Sequence, residues 1–281
     1  MNESFKWSKL KKENIADAEK LLRENETDCV SACSRFITRD PVSDPVWVLR
    51  SKSGGMEALI INSRSALMPV FCKKKIPFPD FLGGFLAKKF IHSIQGLACE
   101  VEFLQEALKK KGMKPKDIID YDLMSLDASP LKNTLKTCPS NLELCVPALS
   151  DLEALAPLQA GYEQEEVLPK GSVFNPASSR LNITNIVKNG KILAAKLDGR
   201  FVGKINVNAV SFTRFQVGGV YVLPQLRGKG IASKMTQDFV NSLINQGRGV
   251  TLFVKKTNAA AVRLYASLGF TVKGDYRITY L

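Results

Sequence analysis

Histidine is almost missing: the 281 residues contain one, His92. The six cysteines are scattered at positions 29, 33, 72, 99, 138 and 145, with no Cys-x-x-Cys pair. No metal site is expected from such a set. Cys29 and Cys33 lie one helical turn apart, and free buried thiols in a reducing, cytoplasmic setting are the expectation. Long apolar runs are lacking too. Each candidate is broken by charge or proline before it reaches the roughly 20 residues of a membrane span, so no membrane contact is expected. Met1 to Lys12 has no apolar core of the kind a signal peptide needs. Acidic residues are in deficit, 27 against 40 basic, for a net charge of +13. The surplus is spread along the chain, with 23 basic against 18 acidic residues before position 140 and 17 against 9 from there on. The runs Lys73–Lys75 and Lys109–Lys111 read as solvated faces. No aromatics interleave with them as a stacking platform would require, so no nucleic-acid partner is expected.

What is present is the make-up of a globular chain with a core: 45% apolar and 24% charged residues. The length suits two ordinary domains, expected over residues 1–139 and 140–281 with a linker at Ser129–Pro139. In the first, helices are expected over Asn14–Glu24 and Cys29–Phe36. Strands over Val46–Leu49, Ala58–Ile61 and Leu67–Phe71 then form an antiparallel meander. Pro77, Pro79 and Gly83-Gly84 mark a loop. A strand over Phe90–Ile94, a helix over Leu97–Lys111 and a strand over Ile118–Met124 complete the half. The second half starts with a strand over Leu142–Val146. A helix opens at Asp151, behind a capping box of Ser150 and Glu153. Tyr162–Val167 and Pro176–Val187 flank a loop at Lys170-Gly171. Strands over Ile192–Leu197 and Phe201–Val207 are joined by a hairpin turn at Asp198-Gly199. A buried strand is expected over Val250–Val254. A helix over Ala259–Leu268 follows, capped by Asn258 and closed by Gly269. Strands over Phe270–Lys273 and Arg277–Tyr280 end the chain. Both halves repeat one order, helix, meander, strand, helix, strand, which reads as a faint internal repeat.

The stretch around which the second half is organised is Gln225-Leu226-Arg227-Gly228-Lys229-Gly230-Ile231-Ala232. A strand, Gln216–Val222, runs into it, and a helix, Ala232–Asn245, leaves it with Met235, Phe239, Val240, Leu243 and Ile244 on one face. Unpaired N–H groups and the positive end of the helix dipole converge there. Gly228 and Gly230 let a phosphate reach the backbone, and Arg227 and Lys229 add charge. The expected ligand is a pyrophosphate. At the matching place the first half offers Gln95-Gly96-Leu97-Ala98-Cys99, with one glycine and no basic residue, so no phosphate site is expected in that copy.

The spacing Gln225-x-x-Gly228-x-Gly230 resembles the acyl-CoA loop of the GNAT superfamily of N-acetyltransferases. The pattern Asn258-x-x-Ala261-x-x-x-Tyr265-x-x-x-Gly269-Phe270 looks like that family's second signature. Together they cover about residues 142–281. The resemblance implies an α/β fold with a mixed, strongly twisted sheet whose two central strands splay to admit the cofactor. With the repeat, it implies a tandem protein whose N-terminal copy is degenerate. It further implies N-acetyl transfer from acetyl-CoA to a primary amine of a small molecule or peptide. In that scheme the N–H groups of Val220, Tyr221 and Val222 face the thioester oxygen. The N–H groups from Leu226 to Ile231 hold the pyrophosphate, Asn258 contacts the CoA arm, and Tyr265 protonates the leaving thiolate.

In one respect the sequence departs from the family: no Glu lies on the strand before the loop, so the base that deprotonates the amine is left open. Glu163, Glu165 and Glu166 fall where the family's substrate-side helices lie. They are candidates to receive the amine or its proton, and read equally as an exposed acidic turn. Asn206 and Asn208 share one strand face and are candidates to line the acceptor site. Transfer of a longer acyl group, or a CoA-binding regulatory module without turnover, are the alternatives. A homodimer is compatible with the chain.

Overall fold

The computed structural model describes residues 6–40, 44–51, 54–71, 91–109, 112–127, 131 and 138–281. Among the described residues, twelve strands form one mixed sheet. They are β1 (Lys6–Lys9), β2 (Val46–Arg50), β3 (Met56–Ser63), β4 (Ala66–Phe71), β5 (Ser93–Leu97), β6 (Asp117–Leu126), β7 (Leu142–Cys145), β8 (Ile192–Leu197), β9 (Arg200–Val210), β10 (Arg214–Val222), β11 (Gly249–Lys255) and β12 (Thr271–Tyr280). Their order across the sheet is β1-β2-β3-β4-β5-β12-β6-β11-β10-β9-β8-β7. Only β4 with β5 and β10 with β11 pair in parallel. Around the sheet lie α1 (Ile15–Glu24), α2 (Val30–Thr38), α3 (Ala98–Lys109), α4 (Leu152–Tyr162), α5 (Pro176–Lys188), α6 (Ile231–Ile244) and α7 (Ala259–Leu268). Among the described residues no helix is long and apolar enough to cross a membrane.

The expected repeat is visible in this order, since each half builds a meander followed by a parallel strand. The middle of the sheet was not legible in the sequence. Strand β12 sits between β5 and β6 of the first half, and β6 sits between β11 and β12 of the second. Each half thus lends its last long strand to the other. The exchanged pair is in register from Thr279 opposite Ile118 to Asp275 opposite Asp122, with Tyr276 opposite Tyr121. Charge follows the exchange: Arg277 pairs with Asp120 and Glu102, and Lys256 with Asp122 and Asp275. Away from the middle, Glu26 in the turn between α1 and α2 accepts hydrogen bonds from Ser211 and Thr213 of the second half.

Several expected boundaries change. Phe270–Lys273 and Arg277–Tyr280 are not two strands but the single β12, kept continuous by a bulge between Val272 and Gly274. The Ser150/Glu153 capping box does not form. A 3-10 turn precedes α4, the Asp151 carboxylate accepts the Ala148 N–H at 2.8 Å, and Glu153 pairs instead with Arg180. Gln95–Leu97 lies on β5, the counterpart of β11, so it does not match the glycine loop. The stretch that follows β4, as the glycine loop follows β10, is 72–90, outside the described residues. The Lys73–Lys75 run and the Pro77–Gly84 loop fall there too, as does most of the linker. Cys29 and Cys33 are buried free thiols with sulfurs 3.6 Å apart.

Two apolar clusters hold the second half. Phe215, Val217, Val222, Met235, Phe239, Val240, Leu243, Leu252, Tyr265 and Leu268 fill the layer under α6 and α7. Leu155, Leu158, Ile183, Val187, Ala194 and Tyr221 fill the opposite layer under α4 and α5. The candidate site lies between these layers, where the sheet opens.

Candidate active site

Strands β10 and β11 pair only from Arg214 opposite Gly249 to Val217 opposite Leu252. Beyond that they part, giving the splay that the family resemblance implies. On its other edge β10 carries a bulge against β9. The register runs from Gly218 opposite Asn206 to Tyr221 opposite Lys204, with Gly219 and Val220 set against the single residue Ile205. Gly219 has a φ of +62°, a backbone state that side chains rarely adopt. Val220 thus lies in neither ladder's register, whereas Tyr221 and Val222 pair with Lys204 and Gly203 of β9.

Past Val222 the chain makes a 3-10 turn, Pro224–Leu226, and Gly228 and Gly230 take φ of +78° and +77° on the way into α6. Of the N–H groups expected to hold a pyrophosphate, two are already used: Leu226 donates to the Leu223 carbonyl at 2.9 Å and Arg227 to Pro224 at 3.2 Å. Gly228, Lys229 and Gly230 have no backbone acceptor among the described residues. Ile231 opens α6, whose first-turn N–H groups find no acceptor within the helix. The available ring is therefore 228–231, shorter than expected by its first residues. Gln225, Arg227 and Lys229 are exposed. A Cβ at Gly228 would meet nothing within 4 Å, so the loop is open to a ligand on that side.

The acidic stretch is the least expected element. Glu163–Val167 forms a π-helical turn directly after α4 and reaches across the splay. Glu165 accepts a hydrogen bond from the Tyr221 hydroxyl at 3.0 Å and an ion pair from Arg227 at 2.6 Å. Glu166 faces Asn258 Nδ2 at 3.3 Å and Lys255 Nζ at 3.5 Å. Glu163 accepts from Gln159 and Asn182. Glu165 and Glu166 are thus tied to groups of the expected cofactor side, Glu163 is tied to α4 and α5, and Glu165 remains exposed. The Tyr221 hydroxyl fits because residue 161 is glycine; a Cβ there would lie 2.3 Å from it.

Asn258 is the N-cap of α7, its Oδ1 accepting the Ala261 N–H at 3.1 Å. Tyr265, two turns further along α7, is buried with its ring edge-on to Phe270 at 6.0 Å. Burial, with the fields of Tyr162 and Glu166, pushes its phenol well above the ordinary tyrosine value. It holds its proton at neutral pH.

The sequence reading passed over Lys204, on β9. Its side chain is 0% exposed. Nζ donates to the Gly219 carbonyl at 2.9 Å and to Asn206 Oδ1 at 3.1 Å, and lies 4.7 Å from the ring centre of Tyr162. Asn206 in turn donates to Asn208 at 2.8 Å. Alternation placed Asn206 and Asn208 on one face; counting back by two reaches Lys204, and that was the available signal. Burial pushes the lysine down to about 7, against the opposing field of Glu163.

The Acetyltransferase (GNAT) family model matches residues 159–270. That segment, which contains the splay, the acidic turn, the glycine loop and α7, is a GNAT domain. Over 83 residues the chain is 34% identical to an uncharacterized N-acetyltransferase of Archaeoglobus fulgidus, the match taking in 27% of this chain and 56% of that protein. The chain thus spans about half the length of the curated relative it matches. Among solved structures, a GCN5-related N-acetyltransferase from Sphaerobacter thermophilus is 18% identical, with a TM-score of 0.62 over 99% of this chain and 95% of that one. A tandem GNAT protein from the clavulanic acid biosynthesis pathway is 13% identical, with a TM-score of 0.61 over 99% of this chain and 98% of that one. These likenesses extend the GNAT-type fold over nearly the whole chain.

Proposed function

We propose that the chain is an N-acetyltransferase that moves an acetyl group from acetyl-CoA to a primary amine of a small molecule or peptide. The observation that carries the reading is the course of one strand: β10 parts from β11 after Val217 and runs on through a 3-10 turn into the Gly228–Ile231 amides at the start of α6. In this reading the diphosphate rests on those amides with Arg227 and Lys229 beside it, and Gln225 and Leu226 shape the turn. The CoA arm passes Asn258. The acyl carbonyl lies against Val220–Val222. The amine nitrogen attacks the carbonyl carbon, the C–N bond forms and the C–S bond breaks, and the leaving thiolate takes the proton of Tyr265, while the tyrosinate so formed, the stronger base, recovers the proton that the amine gives up. Glu166, whose field reaches Tyr162 and Tyr265, is the carboxylate best placed to attract the cationic amine and take its proton. Glu165 enters that role only after leaving Arg227.

The test is thiol release from acetyl-CoA against a panel of primary amines, read together with thermal stabilisation by CoA. Amine-dependent release supports transfer. Stabilisation without release with acetyl-CoA or longer acyl-CoA supports a binding module. Neither result leaves the cleft without its ligand.

A further inference from the structure

The peptide unit between Gly219 and Val220 is planar, with its carbonyl and its N–H on opposite sides. Its carbonyl side is held by Lys204 Nζ at 2.9 Å. The fit is close on this side: a Cβ at Gly219 would stand 2.0 Å from Asn206 Oδ1 and 2.8 Å from Lys204 Nζ. The bulge and the lysine are interlocked, and the N–H of Val220, a residue outside either ladder's register, lies on the far side of its peptide from Nζ.

We infer that Lys204 is a positioning residue of the transfer site: through the Gly219 carbonyl it fixes and polarises the Gly219–Val220 peptide, so that the Val220 N–H donates more strongly to the acyl oxygen. This rests on the acyl-transfer reading above. An ammonium bonded to an amide oxygen draws electron density through the amide and strengthens the donor on its far side. The groups facing Nζ are Tyr162 from α4, Glu163 from the acidic turn, Tyr221 and the Gly219 carbonyl from β10, and Asn206 from its own strand. Tyr162 is pushed up to about 12 by burial and stays neutral. The lysine, pushed down to about 7, is thus the group among these that changes charge near neutrality.

The experiment compares wild type with Lys204→Met and Lys204→Gln, using acetyl-CoA and an amine found active. Lys204→Met is expected to lower kcat about tenfold or more, a part of the effect of deleting an oxyanion donor, with CoA affinity within about twofold. Lys204→Gln keeps an uncharged donor and is expected to recover part of kcat, with no ionisation near neutrality in its kcat profile. Wild type needs no folding control. With an acceptor amine that stays neutral from about pH 6 to about pH 9, its kcat is expected to fall severalfold as pH rises through about 7. A flat wild-type profile, or a folded Lys204→Met enzyme with undiminished kcat, overturns the inference while leaving acyl transfer intact. A wild-type chain that releases no thiol with any amine overturns both.

Discussion

Arg227 and Glu165 meet across the splay at 2.6 Å, so a carboxylate occupies one side of the guanidinium proposed to support the diphosphate. Ligand and acidic turn compete for one cation. The pair is partly exposed, 47% and 38%, and is worth about 0.2–1 kcal/mol after screening. Glu165→Gln is therefore expected to tighten CoA binding by about two- to fivefold at low salt, with the gain shrinking as salt rises. Arg227→Glu is expected to weaken it about tenfold or more. Calorimetric titration of CoA at two ionic strengths reads both changes. Weaker CoA binding in Glu165→Gln would mean that the turn helps hold the cofactor.

Tyr265 lies inside the layer under α7, 6% exposed. Removing its hydroxyl alone, Tyr265→Phe, keeps the ring packed on Phe270 and the apolar layer intact. Turnover is expected to fall about 10- to 100-fold with CoA affinity nearly unchanged. Single-turnover acetyl transfer separates the two quantities; full activity would reduce Tyr265 to a core aromatic.

Much of the site was legible because its signals are local. Gly228, Gly230 and Gly269 all take positive φ where the sequence called for loop and cap residues, and Asn258 caps the helix it was expected to cap. What was not legible depends on partners far away in the chain. Strands β6 and β12 have strand-like patterns, but no local feature says that Tyr121 faces Tyr276. The same holds for Glu165, whose pairing with Arg227 no neighbouring residue announces. Lys204 was hidden by residue type, because lysine on a strand ordinarily marks the wet face.

Two buried groups pull stability in opposite directions with pH. Burial pushes Glu100 up to about 8, outweighing the Phe71 N–H that it accepts at 2.7 Å. A raised carboxyl keeps its proton in the fold and loses it in the unfolded chain. Its contribution is full below about 4.5 and lost as pH rises through about 8. Lys204 has a lowered value, so its contribution is full above about 10.5 and lost as pH falls through about 7. Urea-melt stabilities plotted against pH are expected to decline less for Glu100→Gln than for wild type between about pH 5 and about pH 8. For Lys204→Met they are expected to rise less between about pH 7 and about pH 10. Parallel curves for wild type and variant would show that the group titrates normally in the fold.

The exchanged strands make a stronger demand. Residues 140–281 contain the glycine loop and α7, yet in that fragment β11 loses its pairing from Val250 to Lys255 and β12 loses both neighbours. Arg277 would lose Asp120 and Glu102 together, and the buried ring of Tyr276 would lose its packing on Tyr121 and Leu123. An opened edge of this length, apolar on its buried face, is prone to pair with other chains. The fragment alone is expected to aggregate, or to keep far-ultraviolet dichroism while losing its near-ultraviolet signal. Produced together with residues 1–139, it is expected to return as a soluble one-to-one complex that CoA stabilises. A monomeric 140–281 fragment that binds CoA as tightly as the whole chain would show that the lent strand serves the first half alone.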